Sequence, residues 1–312
     1  MTLSKIKSFQ KNLSLTGAEW NVVALDNFTQ RFSDFLYQKY TLPNVISPYL
    51  SFKGINLDQF DNFFSPKLKN LLPEPFLFKD LEKGVKRLSD EVENFRPIGI
   101  FGDYDVDGAT SAAMISSYLE YCGLKTFIHI PDRFLEGYGP NEKALKGLYQ
   151  KGAELIITVD CGISSFEPLK AMSSVNIDLI VIDHHNPDTT LPPAYAIINP
   201  KRIDTHKGYE DLCAAGVTFI FLIGLNRELR QRGFFKNKIE PDLFSFLDLV
   251  ALGTVCDVVP LIGINRAFVK QGLSIMKKRE NPGIKALCDI SKINDAPNTQ
   301  ALGFSLGPRI NA

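Results

Sequence analysis

Residues 98–121 read IGIFGDYDVDGATSAAMISSYLEY. A short apolar run, 98–101, ends in Gly-Asp, and aspartates follow at alternate positions: Asp103, Asp105 and Asp107. Gly108 then leads into a segment whose apolar spacing predicts a helix over about 109–121, closed by Gly123. A buried strand that runs through a polar loop into a helix is the opening of a βαβ unit.

The same alternation continues downstream. Strands are expected at 125–130, 155–159, 179–182 and 194–198, with helices at 142–149 and from Ser164 or Ser165 onward. Short buried strands alternating with helices imply an α/β fold, a mostly parallel sheet flanked by helices. From Cys213 the chain reads as helical, with long segments near 213–232, 241–255 and 265–279. Upstream, residues 1–95 read as a mainly helical N-terminal region. There Phe60, Phe63 and Phe64 precede a proline-rich stretch, and a helix from Asp80 to Glu93 places Leu81, Val85 and Leu88 on one face with Asp80 as its N-cap. The expected organisation is a helical region 1–95, an α/β domain 96–260 and a helical C-terminal segment 261–312.

Three of the strands end in acidic or imidazole side chains. Asp103, Asp105 and Asp107 follow the first, Asp160 follows the strand at 155–159, and Asp183, His184 and His185 follow the strand at 179–182. Ligands of open parallel sheets bind beyond the carboxyl ends of the strands, so these residues converge on one edge. Singly, each aspartate is better explained as a turn former or N-cap. Together, so many carboxylates would drive protons back onto one another unless divalent cations held them. The run DLVALGTVCD, 248–257, adds a further ligand: Pro260 stops its helix and leaves Asp257 at the end, free to point into the crevice.

Lys plus Arg equals Asp plus Glu at 35 each, giving zero net charge. A nucleic-acid binder usually carries a basic excess, so a phosphate-binding surface here is local, or its main basic module lies elsewhere. The five cysteines are scattered without a C-x-x-C pair, which argues against a disulfide framework or thiolate zinc site and fits a reducing cytoplasm. The first 17 residues hold three lysines but no apolar core of signal-peptide length. The longest apolar stretch, 213–225, is too short to span a bilayer and reads as a buried helix. No membrane association is expected.

FGDYDVDGATS, ITVDCGISS, VIDHHNP and ALGTVCDVVPL resemble, in order, the four signature motifs of the DHH phosphoesterase superfamily, in the form found in the RecJ family of single-stranded-DNA-specific exonucleases. DRFLEGYGPN, INP, the lead-in NFFSPKLKNLLPEPFLFKDLEKGVKRL and the terminal LGFSLGPRINA extend the resemblance over nearly the whole chain. It implies 5′-to-3′ exonuclease activity in DNA repair and recombination, with single-stranded DNA as substrate and single-strand-binding protein and a helicase as partners. It also implies two Mn²⁺ or Mg²⁺ ions. Asp105 would hold the first, Asp107, His184 and Asp257 the second, and Asp160 would bridge them. Asp103 and His185 match catalytic positions beside the ions. Arg133 and Arg309 match phosphate-gripping positions, and Gly137 and Tyr138 a strand-contacting turn. For Arg133 a surface ion pair with a nearby carboxylate is an equal reading. Cys161 and Cys256, beside ligand positions, read as small buried fillers.

RecJ sequences continue past GPRINA into a second domain and an oligonucleotide-binding fold, so this chain is expected to be the catalytic front part. Two other readings stay open. A relative acting on short oligonucleotides or cyclic dinucleotides would normally carry a histidine where Phe101 stands, and a non-catalytic interaction module would have lost the ligand positions kept here. A nucleotide-binding protein lacks support, because no G-x-x-x-x-G-K-[ST] phosphate loop occurs.

Overall fold

The structure is a computed structural model that describes residues 14–19, 26–43, 45–52, 55 and 57–311. Most of the lysine-bearing N-terminal segment and the final alanine read above lie outside the described residues. The chain divides into two units, Met1–Ser65 and Pro66–Ala312.

In the first unit, helices α1 (Asn27–Tyr40), α2 (Ile46–Phe52) and α3 (Leu57–Phe64) surround Leu36, Leu50, Ile55 and Phe60. Asp26 starts α1 by accepting a hydrogen bond from Thr29 N at 2.7 Å. The rings of Tyr40 and Phe60 stack at 3.9 Å between centroids.

The second unit begins with α4 (Leu68–Leu71) and α5 (Leu81–Glu93) and then builds the sheet. Its elements follow in the order β1 (Ile98–Gly102), α6 (Val106–Tyr121), β2 (Thr126–His129), α7 (Glu142–Gln150), β3 (Leu155–Val159), α8 (Phe166–Met172), β4 (Asp178–Ile182) and β5 (Ala196–Ile198). All pairings are parallel and the strand order is β2-β1-β3-β4-β5. The chain moves outward from β1 to β2 and then returns to lay β3 on the other side of β1. Order reverses there, opening a crevice beyond the carboxyl ends of β1 and β3.

The period of two along each strand explains why helices cover both faces. Ile98, Ile100, Leu155, Ile157, Ile180 and Ile182 face the core shared with α5, α6 and α9 (Ala214–Gln231). Phe101, Ile156, Leu179, Val181 and Ile197 face a second core with Leu145 and Leu148 of α7 and Leu169 and Met172 of α8. Truncating a fully buried Ile or Leu in such a layer to alanine costs about 2–5 kcal/mol. Helices α10 (Leu247–Cys256), α11 (Gly263–Met276) and α12 (Pro282–Ile290) share a third core. The segment 299–310 coils as α13 (Thr299–Ala301), a π-helical turn Leu302–Leu306 and α14 (Gly307–Ile310). No helix among the described residues is long and apolar enough to cross a membrane.

Two expectations need correcting. Helix α6 starts at Val106, not near 109, because the Asp105 carboxylate accepts from Gly108 N at 2.9 Å and draws Asp107 into the first helical turn. Asp80 precedes α5 but does not cap it with its side chain. It sits at φ 62° and its carboxylate takes Arg202 Nη1 at 2.7 Å instead. A buried guanidinium is a stronger partner than a helix amide. Helix α5 itself packs on β5 and α9 and so belongs with the sheet unit.

Candidate metal centre

Each acidic side chain is set by its own local device. After β1 the chain turns so tightly that a Cβ at Gly108 would lie 2.5 Å from the Asp103 carbonyl oxygen. Only glycine closes this loop. In the first turn of α6, Asp107 is anchored at the N-terminus of α9. Its Oδ2 accepts from Ala214 N at 2.6 Å and its Oδ1 from Ala215 N at 2.8 Å. Helix α10 presses against the same carboxylate: a Cβ at Gly253 would lie 2.7 Å from Asp107 Oδ1. After β3, Asp160 sits in the left-handed region at φ 62°, a conformation that aspartate tolerates better than most residues. Asp257 ends α10.

The end of β4 is organised by Asp183, which is fully buried. Its Oδ2 accepts from Ile163 N at 2.9 Å. Its Oδ1 accepts from His184 N at 2.7 Å, from His185 N at 3.1 Å and from His185 Nδ1 at 2.8 Å. The sequence reading grouped Asp183 with the strand-end acids but gave it no role of its own. Its signal was its place at the end of an apolar strand, where a carboxylate must be hydrogen-bonded to be buried at all.

These devices bring Asp103, Asp105, Asp107, Asp160, His184, His185 and Asp257 to one edge of the sheet. His184 Nε2 lies 3.2 Å from Asp160 Oδ1, 3.7 Å from Asp257 Oδ2 and 3.8 Å from Asp107 Oδ2. Side-chain donors fall into groups whose atoms lie within 4.8 Å of one another: Asp103, Asp105 and Asp160; Asp107, His184 and Asp257; Asp160, His184 and His185. Asp160 links the first group to the third, and His184 links the third to the second.

The donor chemistry fits divalent cations. Asp103 Oδ1, Asp160 Oδ1 and both ring nitrogens of His184 are buried without a hydrogen-bond partner. Such an atom costs about 1–3 kcal/mol if nothing meets it. Burial, and next the neighbouring Asp107, push Asp160 well above the usual carboxylate range. Burial and Asp257 likewise raise Asp107, outweighing the two amides that hold it. Asp103 and Asp257 rise to about 6, in both cases through burial first, with the charge of Asp105 adding to it. Burial, then His185, lowers His184 to about 4, so its imidazole is neutral and keeps a free lone pair, the form that binds metal. Burial opposes ionisation of Asp183 as well, but its hydrogen bonds, those from His185 foremost, leave it below the usual range.

Around this centre, Tyr138 donates its hydroxyl to the Asp160 carbonyl at 3.2 Å and meets His185 Nδ1 at 3.1 Å. Gly137 and Gly139 on either side of it have φ of 78° and 82°, forming the turn that projects the ring. Arg133 makes no ion pair among the described residues. Its guanidinium lies 4.5 Å over the ring of Tyr104, a residue that the sequence reading passed over, and Nη1 reaches the Asn311 carbonyl at 3.4 Å. Arg309 is not brought into contact with the acidic cluster. Its guanidinium rests on the Ser305 carbonyl at 2.5 Å. Cys161 is buried, whereas Cys256 is only partly so, and burial raises both thiols, Cys256 to about 12.

This fold and edge are those of a known family: residues 97–254 match the DHH family, N-terminal domain, and the chain belongs to that family. Within it, the chain is similar to the single-stranded-DNA-specific exonuclease RecJ of Escherichia coli (strain K12), 41% identical over 251 residues that make up 78% of this chain and 43% of that protein. Among solved structures, a crystal structure of exonuclease RecJ bound to manganese is 31% identical with a TM-score of 0.66, covering 77% of this chain and 58% of that one. RecJ of Thermus thermophilus in complex with Mn²⁺ is 25% identical with a TM-score of 0.71, covering 90% of this chain and 38% of that one. The chain therefore spans less than half the length of the E. coli relative.

Proposed function

We propose that this chain carries the catalytic centre of a metal-dependent exonuclease that hydrolyses single-stranded DNA in the 5′-to-3′ direction during DNA repair and recombination. One observation carries the reading. Carboxylate and imidazole donors from separate strand ends form overlapping groups through Asp160, with buried donor atoms left unpaired for an exogenous cation. The names of the relatives supply the substrate, since those proteins are called single-stranded-DNA-specific exonucleases.

Asp105 would hold one ion with Asp160, and Asp107, His184 and Asp257 the other. A neutral imidazole among the donors favours Mn²⁺ over Mg²⁺. Two divalent ions held there would supply Lewis acidity to the scissile phosphate and acidity to an attacking water. The protein's own groups do the positioning. Asp183 fixes the tautomer of His185 by accepting a hydrogen bond from Nδ1–H, which would leave Nε2 as the atom that meets the phosphodiester. Asp183 also raises the basicity of His185, so the ring can present a proton to a phosphate or leaving oxygen. Asp103, with one oxygen unpaired, would stand beside the ions. Arg133 and Arg309 are assigned to the phosphate backbone, and Gly137 and Tyr138 to the strand at the mouth of the site, where the phenol offers a stacking face. We assign single-strand-binding protein and a helicase as partners, and the cytoplasm as the compartment, on the strength of the family alone.

The test is metal-dependent release of nucleotides from a 5′-phosphorylated single strand, run beside a duplex and a dinucleotide. Turnover of the long strand with Mn²⁺, lost with a chelator, is expected. Preference for the dinucleotide would replace this reading with an oligonucleotide phosphoesterase. No Mn²⁺ uptake would leave a non-catalytic module.

A further inference from the structure

Lys201 lies just past the carboxyl end of β5, whose Ile198 pairs with Ile182, the residue before Asp183-His184-His185. The backbone around it is clamped on both sides. Asn199 accepts from Lys201 N at 2.7 Å while its own Nδ2 donates to the His185 carbonyl at 2.9 Å, tying the lysine to the histidine pair. On the other side Arg202, only 5% exposed, donates to Asp80 Oδ2 at 2.7 Å, to the Ile197 carbonyl at 2.5 Å and to both oxygens of Asp204 at 2.9 and 2.8 Å.

The arginine in this segment is saturated and the lysine beside it is not. Among the described residues the Lys201 ammonium takes part in no hydrogen bond or ion pair. It is nonetheless close enough to the centre for its charge to bear on His184, His185 and Asp257. A half-buried ammonium held at the rim of an acidic site is placed for an anion that arrives with the substrate.

Strand order says where that anion lies. Arg133 follows β2 at one edge of the sheet and Lys201 follows β5 at the other. Four inter-strand spacings of about 4.8 Å separate those edges by roughly 19 Å, with the acidic cluster between them. That strand-to-strand span is several times the rise of about 3.4 Å per nucleotide in a duplex strand, which places the two side chains to meet different phosphates of one strand. We propose that Lys201 grips a backbone phosphate of the substrate strand on the β5 side of the metal centre, opposite Arg133, so that the strand crosses the carboxyl edge of the sheet from β2 to β5. The inference rests on the nuclease reading above.

The experiment measures equilibrium binding of a short 5′-phosphorylated single strand over a range of salt, with Ca²⁺ replacing Mn²⁺ to suppress cleavage. Lys201→Met should flatten the slope of log K against log salt by about 0.7, the value for one phosphate contact to a single strand, and weaken binding about tenfold at low salt. Lys201→Arg should restore both. Lys170→Met, at an exposed position of α8, removes the same charge elsewhere and should change neither. Single methylphosphonates placed along the strand should reveal one position whose neutralisation weakens the parent but not Lys201→Met. If the parent binds and cleaves while folded Lys201→Met keeps the parental slope and methylphosphonate pattern, the Lys201 assignment is wrong and the nuclease reading stands. If the parent neither binds nor cleaves a single strand, both fall.

Discussion

Strand β4 carries carboxylates at both ends, and the two ends are built differently. At its start, Asp178 pairs with Arg87 Nε at 2.6 Å, and the same guanidinium also holds Glu91, which is 1% exposed. At its finish lie Asp183, His184 and His185, and around them Asp103, Asp107, Asp160 and Asp257, with no arginine or lysine paired to any of them among the described residues. The amino end of the sheet balances its charge with protein cations. The carboxyl end leaves it unbalanced, with donor atoms open and carboxylates pushed toward the neutral form. A protein does not keep such a cluster for stability, since well-paired or apolar side chains would serve better. The difference marks the carboxyl edge as the place where a cation from solution completes the structure.

The strongest way to break that contrast is Asp160→Ala. Asp160 joins the donor groups, so its loss should strip both ion positions and lower activity by about 10³-fold or more. Mn²⁺ titration of the variant should show weakened uptake. Asp103→Ala should lose clearly less, because the Asp105 and Asp160 donors remain. Equal activity of both variants with the parent would remove the metal centre from the mechanism. A step smaller, Asp183→Asn should cost about 10–100-fold while Mn²⁺ uptake persists, because Asp183 acts on His185 and is not itself a donor. Loss of Mn²⁺ uptake in that variant would show that Asp183 shapes the metal positions directly.

The sheet and the strand-end acids were legible because both rest on local patterns. Short continuous apolar runs such as Leu155–Val159, buried at every position, read as strands when helices alternate with them, and the acids fall where such strands stop. What stayed hidden depends on partners far along the chain. Nothing near Asp107 announces that the amides of Ala214 and Ala215 will hold it. Asp80 resembled a helix cap in every local respect, yet Arg202 takes its carboxylate from 122 residues away. The aromatic seat of Arg133 on Tyr104 and the clamp around Lys201 likewise form only once the sheet is assembled.

Metal and pH sharpen the comparison further, with effects of degrees rather than orders of magnitude. Asp107 and Asp160 are raised in the folded chain, and Asp103 and Asp257 reach about 6, against about 3.8 unfolded. Between those values the native state binds more protons than the unfolded one, so stability falls as pH rises. The contribution of these carboxylates to the stability of the metal-free protein should therefore fall from about pH 4 upward through pH 6 and beyond, offset only in part by His184, whose lowering to about 4 works in the opposite sense. Mn²⁺ competes for the same carboxylates, so its stabilisation should be small below about pH 6 and grow above it. At saturating ion near pH 8 it should reach about 5 °C or more. Melting curves with Mn²⁺ and with a chelator across this range check the sign. A stabilisation that is independent of pH would mean that the raised carboxylates are not the ligands.

The smallest effect belongs to the opposite end of β4. Asp178→Asn removes one arm of the Arg87 pair, but the Asp178 side chain is 40% exposed and solvent screens it, while Glu91 keeps the guanidinium in place. The expected loss is at most about 1 kcal/mol, or a fall in Tm of about 2–4 °C. Activity and the Mn²⁺-dependent rise in Tm should match the parent, because no charge at the amino end waits for a metal. An altered Mn²⁺ response in the Asp178→Asn variant would mean that the two ends of the strand are coupled through the sheet. The carboxyl edge would then owe its unbalanced charge to the whole domain, not to the residues gathered there.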